Sequence, residues 1–563
     1  MKWIFACLAT FWTLLGISQT APEAYYIIFS DKQGTPYSLN QPEAFLSKKS
    51  IERRQEWGIP LEWKDLPVNP TYVQSLTTIG NCHIHHTSKW FNSATLIVDD
   101  TLFRQQILDH VSSLPFVSEV KSMKGNGGAS IEKDWTLLKT EKRSAETFDI
   151  TQEYEDFYGP SFRQVSMINA HLLHEHGYTG EGVVIAQFDS GWDKTDQIGA
   201  FDRLREKGAI LGTRDFVNPS SNNVYNNSNH GTFVLSTMAG WIPDSLIGTA
   251  PDASYYLFRT EDVASEYLIE EDNWVVAAEY ADSLGVDLIN SSLGYSRFDD
   301  SSMDHTYADM NGETTRSSIA ADIAASKGIL VVNSAGNSGG NSWRFITAPS
   351  DGDSVLCVGA VNENEIKAWF SSFGPASDGA VKPNAMAMGQ NTVFVDLNGN
   401  IRTGNGTSFS SPVLAGGAAC IIQAVGNSKK NIEILKAIEQ SCNHYKYPTD
   451  SLGYGIADLW KALRILQPEW DVTLDNKLIS IYPNPTTNFL RVSAEWILEF
   501  DEVSYEISDA SGRVVKCGSS FLDASNTSTI LTIQWPDSYL PRGKYHLRVF
   551  TKNESRITSF IVY

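Results

Sequence analysis

Apolar and polar positions along the 563-residue chain change rhythm three times. Residues 24–30 alternate and predict a strand, and 45–57, carrying Lys48, Lys49, Arg53 and Arg54, predict a basic helix. Strand patterns return at 83–86, 94–98 and 117–120, with a helix over 102–114, which together make a small α+β unit. Residues 124–156 then turn polar, with Gly125-Asn126-Gly127-Gly128 and the basic pair Lys142-Arg143, and read as a cleavable linker. From Tyr158 to Gln467 the pattern is different. Continuous apolar runs at 183–188, 254–259, 286–291 and 329–333 alternate with helical stretches at 274–284 and 317–327, stopped by Gly285 and Gly328. Strand–helix alternation with apolar strands predicts a parallel sheet with helices on both faces. After Trp470 short alternating strands return, at 478–482, 489–492, 505–507, 530–533, 545–550 and 557–562. Turn signals at Pro483-Asn484-Pro485, Ser511-Gly512 and Pro541-Arg542-Gly543 separate them, as in a β-sandwich of immunoglobulin-like size.

Composition narrows the picture. An apolar share of 42% supports real cores, and a net charge of −22 argues against nucleic acid or anionic membrane as a partner. Lys2 precedes an apolar run over 3–17, too short to span a bilayer, with small residues Gly16 and Ser18 behind it. This predicts a signal peptide, 1–18, removed before Gln19. No later stretch is expected to be long and apolar enough to cross a membrane. Cys7 leaves with the signal, and the five remaining cysteines, at 82, 357, 420, 442 and 517, form no disulfide framework. Cys420–Cys442 is the one pair placed on neighbouring predicted helices; buried thiols are the expectation.

The chemistry centres on Gly404-Asn405-Gly406-Thr407-Ser408-Phe409-Ser410-Ser411-Pro412, followed by small residues through Ala419. Glycines, hydroxyls and a small-residue run predict a tight turn delivering a serine to the first turn of a buried helix, with Pro412 close to its start. Backbone N–H groups there suit a developing negative charge. A serine needs a base, and a carboxylate to orient that base. His230 opens a small-residue helix in Asn229-His230-Gly231-Thr232, and Asp189 closes an apolar strand before Ser190-Gly191.

Asp189-Ser190-Gly191, His230-Gly231-Thr232 and Gly406-Thr407-Ser408-Phe409-Ser410-Ser411-Pro412 resemble the three active-site blocks of subtilisin-like serine proteases (subtilases), in that family's order. Gly248-Thr249-Ala250-Pro251, Ser292-Leu293-Gly294, Ser334-Ala335-Gly336-Asn337 and Lys382-Pro383-Asn384 resemble further family motifs. The resemblance implies a subtilisin-like parallel sheet over 158–467. It implies Asp189, His230 and Ser408 as catalytic residues, Asn337 and the Ser408 N–H as oxyanion hole, and Ser292, Leu293 and Gly294 as substrate-binding residues. Phe409, Ser410 and Phe233 depart from the family's usual choices, with no proton-transfer group lost.

The unit at 19–124 resembles the propeptides of this family, an inhibitor and folding aid removed by cleavage within the linker at 125–157, with Arg143 a candidate position. The 475–563 module resembles the C-terminal sorting domain of the type IX secretion system, on Ile481-Tyr482-Pro483-Asn484-Pro485-Thr486 and Leu540-Pro541-Arg542-Gly543-Lys544-Tyr545. Together these imply a serine endopeptidase made as a zymogen and secreted, or held on the outer-membrane surface, by a Bacteroidetes-type bacterium. Its implied partners are protein or peptide substrates, its own propeptide and the secretion machinery, with no nucleic acid. The rival expectation is an inactive subtilase scaffold acting as a surface adhesin. No cofactor is required. Structural calcium is common in the family, but no site is mapped here. Cys82-His83-Ile84-His85-His86 sets His83 and His85 on one strand face without a second zinc-spaced pair, so no metal is expected. His171-Leu172-Leu173-His174-Glu175-His176 reads as a solvated helix face, and Asp299-Asp300 as a solvated acidic loop, with selection of a basic substrate residue as its rival reading.

Overall fold

The structure, a computed structural model, describes residues 23–123 and 157–467 and, between 480 and 562, the strands and some of the residues joining them. The signal peptide, Arg143 and the linker short of Phe157 lie outside the described residues. So do the turns Pro483-Asn484-Pro485 and Ser511-Gly512.

The first unit is an antiparallel sheet of β1 (Ala24–Phe29), β2 (Cys82–Ser88), β3 (Ser93–Val98) and β4 (Val117–Ser122), in the order β2-β3-β1-β4. It carries α1 (Lys48–Trp57) and α2 (Arg104–Ser113). α1 begins later than its pattern predicts, because the Ser47 side chain caps it by accepting from the Ser50 N–H. A bulge between Ile84 and His86 separates the histidines. His83 Nδ1 meets Asp99 at 2.6 Å, while His85 and His86 both face Asn273. The expected shared face for His83 and His85 therefore does not form.

The central unit holds seven parallel strands: β5 (Val184–Asp189), β6 (Ile210–Asp215), β7 (Ser254–Arg259), β8 (Leu288–Ser291), β9 (Leu330–Ser334), β10 (Val355–Val361) and β11 (Ala385–Met388). Their order is β11-β10-β9-β8-β5-β7-β6. The strands nearest the middle are buried on both faces, which is why they read as unbroken apolar runs. The helices of interest are α3 (His230–Ala239), α4 (Ile269–Leu284), α5 (Arg316–Ser326) and α6 (Thr407–Val425). α4 starts ahead of the expected Trp274. Glu270, Glu271 and Asp272 form its first turn, where carboxylates complement the helix dipole.

α6 crosses the sheet centre, packed on β8, β9, β10, β11 and α3. By length and hydropathy residues 407–428 would span a bilayer, contrary to the sequence expectation. Its apolar surface goes instead into the core, where 78% of the window is buried. Cys82, Cys357, Cys420 and Cys442 are buried thiols, and no Cys420–Cys442 bridge forms. His174 is a core residue, not a solvated one: Tyr158 Oη meets it at 2.8 Å and the Thr249 carbonyl at 3.0 Å. Near the C-terminus a three-stranded and a four-stranded antiparallel sheet share a core that includes Leu490, Ile507, Trp535, Leu547 and Phe560.

The first unit docks on α4 through buried charge. Arg54 donates to both Asp282 oxygens at 2.8 and 2.9 Å, and Lys89 adds a contact at 3.1 Å. Burial alone would raise the Asp282 carboxyl, but Lys89, Arg54 and Arg53 outweigh it and hold it below its usual range. Glu279 accepts from Ser88 Oγ and from the Lys89 and Trp90 N–H groups. Leaving three cations against a neutral amide in a buried interface costs about 3 kcal/mol. Asp282→Asn is therefore expected to weaken binding of the separated first unit about 100-fold, read by titration calorimetry.

Burial holds His86 at about 3 and His85 at about 4 in the docked state. Undocked histidines titrate near 6.5, so they take up protons that the docked state refuses. Their contribution to docking is complete above about pH 6.5 and falls away toward pH 4. Buried Glu279 and Asp272, raised in the complex, act in the opposite sense. Affinity measured at pH 7 and pH 5 should therefore drop more in the native chain than in a His85→Gln/His86→Gln variant.

Candidate active site

Parallel pairing brings the ends of β9, β8 and β5 side by side, so residues just past them share one edge of the sheet. Asp189 closes β5, Ser292 follows β8 and Asn337 follows β9. Two helices point their N-termini at that edge. His230 is the first residue of α3, and Ser408 lies in the first turn of α6.

His230 Nδ1 meets Asp189 Oδ1 at 2.6 Å, with the imidazole 3% and the carboxylate 0% exposed. The same oxygen accepts from the Ser190 N–H at 2.8 Å. The loop after β5 is tied to the residues before α3 by Ser190 Oγ to Ser228 Oγ, 2.9 Å, and by the Asp193 N–H to the Ser228 carbonyl, 2.9 Å. Gly231 is required by this approach, because a Cβ there would lie 2.4 Å from the Gly191 carbonyl.

Gly406, at φ 154°, turns the chain into α6. Pro412 sits in the second turn, not at the helix start as expected. With no N–H, it leaves the Ser408 carbonyl without a helical donor. Ser292 Oγ supplies one at 3.1 Å, and Ser408 Oγ donates back to the Ser292 carbonyl at 3.4 Å. Asn337 is fixed from the same turn. Its Oδ1 accepts from the Thr407 N–H at 2.8 Å and Thr407 Oγ1 at 3.0 Å, and the Gly336 N–H donates to Thr407 Oγ1 at 3.2 Å. With Oδ1 held, the NH₂ end of the amide is the one left for the cleft.

That cleft, of about 280 Å³, is lined by Ser292, Leu293, Gly294, Asn337, Thr407 and Ser408 among others. Phe233 and Phe409 are not in its wall. They pack with Phe394, at 4.7 Å from Phe233 and 5.2 Å from Phe409, as a buried aromatic cluster. Sequence reasoning missed Thr407, although it stands between the glycine and serine already singled out. It also missed Glu261 and Glu266 on the cleft wall, although Glu261 lies just past the end of β7 on the same sheet edge. Asp299 and Asp300 are not a solvated loop; both are buried.

Residues 180–456 match the subtilase family, 24–135 the Bacteroidota peptidase S8 propeptide domain, and 480–563 the secretion system C-terminal sorting domain. Subtilisin of Bacillus pumilus is 31% identical over 262 residues, 46% of this chain and 83% of that protein. Subtilisin E of Bacillus subtilis (strain 168) is 32% identical over 262 residues, 46% of this chain and 60% of its own length. The chain thus spans 60% of the first curated relatives it matches. Membrane-bound transcription factor site-1 protease of Rattus norvegicus is 27% identical over 317 residues, 54% of this chain and 27% of its own. A solved structure of MycP1 without its N-terminal propeptide is also similar, at 22% identity and TM-score 0.43, covering 54% of this chain and 96% of that one. The chain belongs to the subtilase family. Its propeptide and sorting domains mark it as a secreted or outer-membrane-surface protein of a Bacteroidetes-type bacterium.

Thr407→Val keeps shape but removes one of two donors holding the Asn337 amide. Fluorophosphonate labelling of the processed protein is expected to slow about tenfold, with unfolding temperature nearly unchanged.

Proposed function

We propose that the chain is a serine endopeptidase made as a zymogen, with Asp189, His230 and Ser408 as its triad. Asn337 and the Ser408 N–H form its oxyanion hole. The observation that carries this reading is the buried 2.6 Å contact of His230 Nδ1 with Asp189, at the sheet edge where Ser408 and Asn337 line one cleft.

In this mechanism His230 Nε2 takes the Ser408 hydroxyl proton as Oγ attacks the scissile carbonyl. Asp189 holds the tautomer with Nδ1–H and stabilises the imidazolium. The carbonyl oxygen, now negative, is met by the Asn337 amide and the Ser408 N–H, an unpaired donor of the first helical turn. Collapse breaks the C–N bond, and His230 returns the proton to the leaving amine. Water then repeats the sequence on the acyl-enzyme. The substrate backbone lies along Ser292–Gly294.

The proposed segmentation is a signal at 1–18, a propeptide at 19–124, a cleaved linker at 125–157, a catalytic domain at 158–467 and a sorting domain at 475–563. The propeptide family match continues past the first of these linker positions, to 135. The partners are protein or peptide substrates, the chain's own propeptide and the type IX secretion machinery. No nucleic acid is involved, and the chemistry requires no cofactor.

Processed protein should label with a fluorophosphonate and cleave peptides, and Ser408→Ala should lose the label and about 10⁶-fold in kcat, the scale of that change in subtilisin. Asn337→Ala should cost about 100- to 1,000-fold in kcat with little change in KM, as for the oxyanion donor of subtilisin. Folded, processed protein that neither labels nor cleaves would overturn the enzyme reading.

A further inference from the structure

The carbonyl under attack fixes where one substrate side chain must go. In the proposed mechanism its oxygen is met by the Asn337 amide and the Ser408 N–H, and the substrate backbone lies along Ser292–Gly294. The residue that owns this carbonyl therefore projects its side chain between two stretches of the cleft wall, one from Ser292 to Gly294 after β8 and one from Ser334 to Asn337 after β9. Where they leave the sheet the two are still joined, the Leu293 carbonyl accepting from the Asn333 side chain at 3.0 Å. Past that bond the space between them is taken by Thr347. A Cβ on Gly294 would lie 2.1 Å from Thr347 Oγ1, and a Cβ on Gly336 would lie 3.1 Å from the same atom and 3.6 Å from Thr347 Cγ2. Both absent side chains converge on one hydroxyl, so Thr347 stands between the two walls. It is 5% exposed and lines the cleft.

Thr347 has no room to retreat. The Tyr295 N–H donates to the Ala348 carbonyl at 2.8 Å, and the Ala348 N–H donates back to the Tyr295 carbonyl at 3.1 Å. On the other side the Ile346 N–H donates to the Phe373 carbonyl at 2.9 Å, and the Ser350 N–H donates to the carbonyl of Thr347 itself at 2.9 Å. A side chain pinned from both sides in a closely packed wall resists added volume. Its hydroxyl has no hydrogen-bond partner among the described residues, so replacing it breaks no such bond there.

Resting on the peptidase reading, we propose that Thr347 restricts the residue whose carbonyl is cleaved to a small side chain: glycine, alanine or serine. The whole cleft, about 280 Å³, also takes in Ser296, Arg297 and Trp343, so its volume is shared with substrate residues further from the bond. At the bond itself a large side chain meets Thr347. It then holds its carbonyl away from Ser408 and from the oxyanion donors, and a displacement of about 1 Å is enough to cost about 100-fold in rate.

The test uses full-length protein after processing and fluorogenic peptides of one sequence that carry alanine, leucine or phenylalanine at that position, with the cleaved bond read by mass spectrometry. For the native protein kcat/KM for cleavage after alanine is expected to exceed that after phenylalanine about 10- to 100-fold. Thr347→Ala opens the space and should shrink that ratio about tenfold, with leucine falling between. Thr347→Val keeps the bulk without the hydroxyl and should leave the ratio as it is. The ratio is insensitive to the amount of folded enzyme, and the two variants together separate size from loss of the hydroxyl. An active enzyme that cleaves after phenylalanine as fast as after alanine overturns the inference and leaves the peptidase reading standing. So does a ratio unchanged in Thr347→Ala, or one that collapses equally in Thr347→Val. No turnover of any peptide, with no fluorophosphonate label, overturns both.

Discussion

Parallel pairing of β9, β8 and β5 forces three chain ends onto one edge of a sheet, and the candidate site is built from the residues at and just past those ends. Asp189, Ser292 and Asn337 come from strands far apart in sequence yet adjacent in the sheet. Neither α3 nor α6 could present its first turn there unless that edge were open. The sheet is covered on both faces, so its edge is where polar groups meet space without crossing the core. Hydrogen bonds then convert proximity into orientation: Asp189 holds the His230 ring, Thr407 holds the Asn337 amide, and Ser292 holds the Ser408 carbonyl.

Pro412 shows how a local fault becomes part of the site. A proline inside a helix removes a donor, and in α6 the orphaned acceptor is the carbonyl of Ser408 itself. The Ser292 hydroxyl fills the vacancy, which couples the helix to the segment expected to lie along the substrate. Two of the three residues that depart from the family's habits are coupled in a comparable way. Phe233 on α3 and Phe409 on α6 both pack on Phe394, so the two helices that carry His230 and Ser408 share one aromatic contact.

The docked first unit places its own cations where α4 has carboxylates. Arg54, Arg53 and Lys89 surround Asp282, and Glu279 receives three donors from residues 88–90. These groups are buried on both sides of the contact. Separation exposes these matched charges to water together with the apolar contacts that Trp90 makes in the cluster holding Trp274 and Val275 and that Tyr26 makes in the cluster holding Leu268 and Ile269. The proposed release of this unit would have to separate those paired charges.

Much of the architecture was legible in the chain. Unbroken apolar runs at 183–188 and 329–333 and a helix ended by Gly285 stem from local rules of twist, capping and burial. So does the delivery of Ser408 by a glycine turn, because its cause lies within a few residues. β6, β10 and β11 were missed. β6 is an edge strand with polar residues, and β11 is four residues of alanine and methionine, so neither carries a distinctive period.

Long-range partners were decided by tertiary structure alone. A sequence window shows Asp299-Asp300 as charge and so suggests solvent; packing buries both, with Asp299 accepting from the Glu266 N–H. It shows His174 as a helix-surface residue; the Tyr158 hydroxyl and Thr249 carbonyl make it a core one. Residue types and their order determined which groups were available for chemistry. Which oxygen faces which nitrogen, and which carboxylates reach the cleft, waited on contacts between residues scores of positions apart, whose energies no local pattern records.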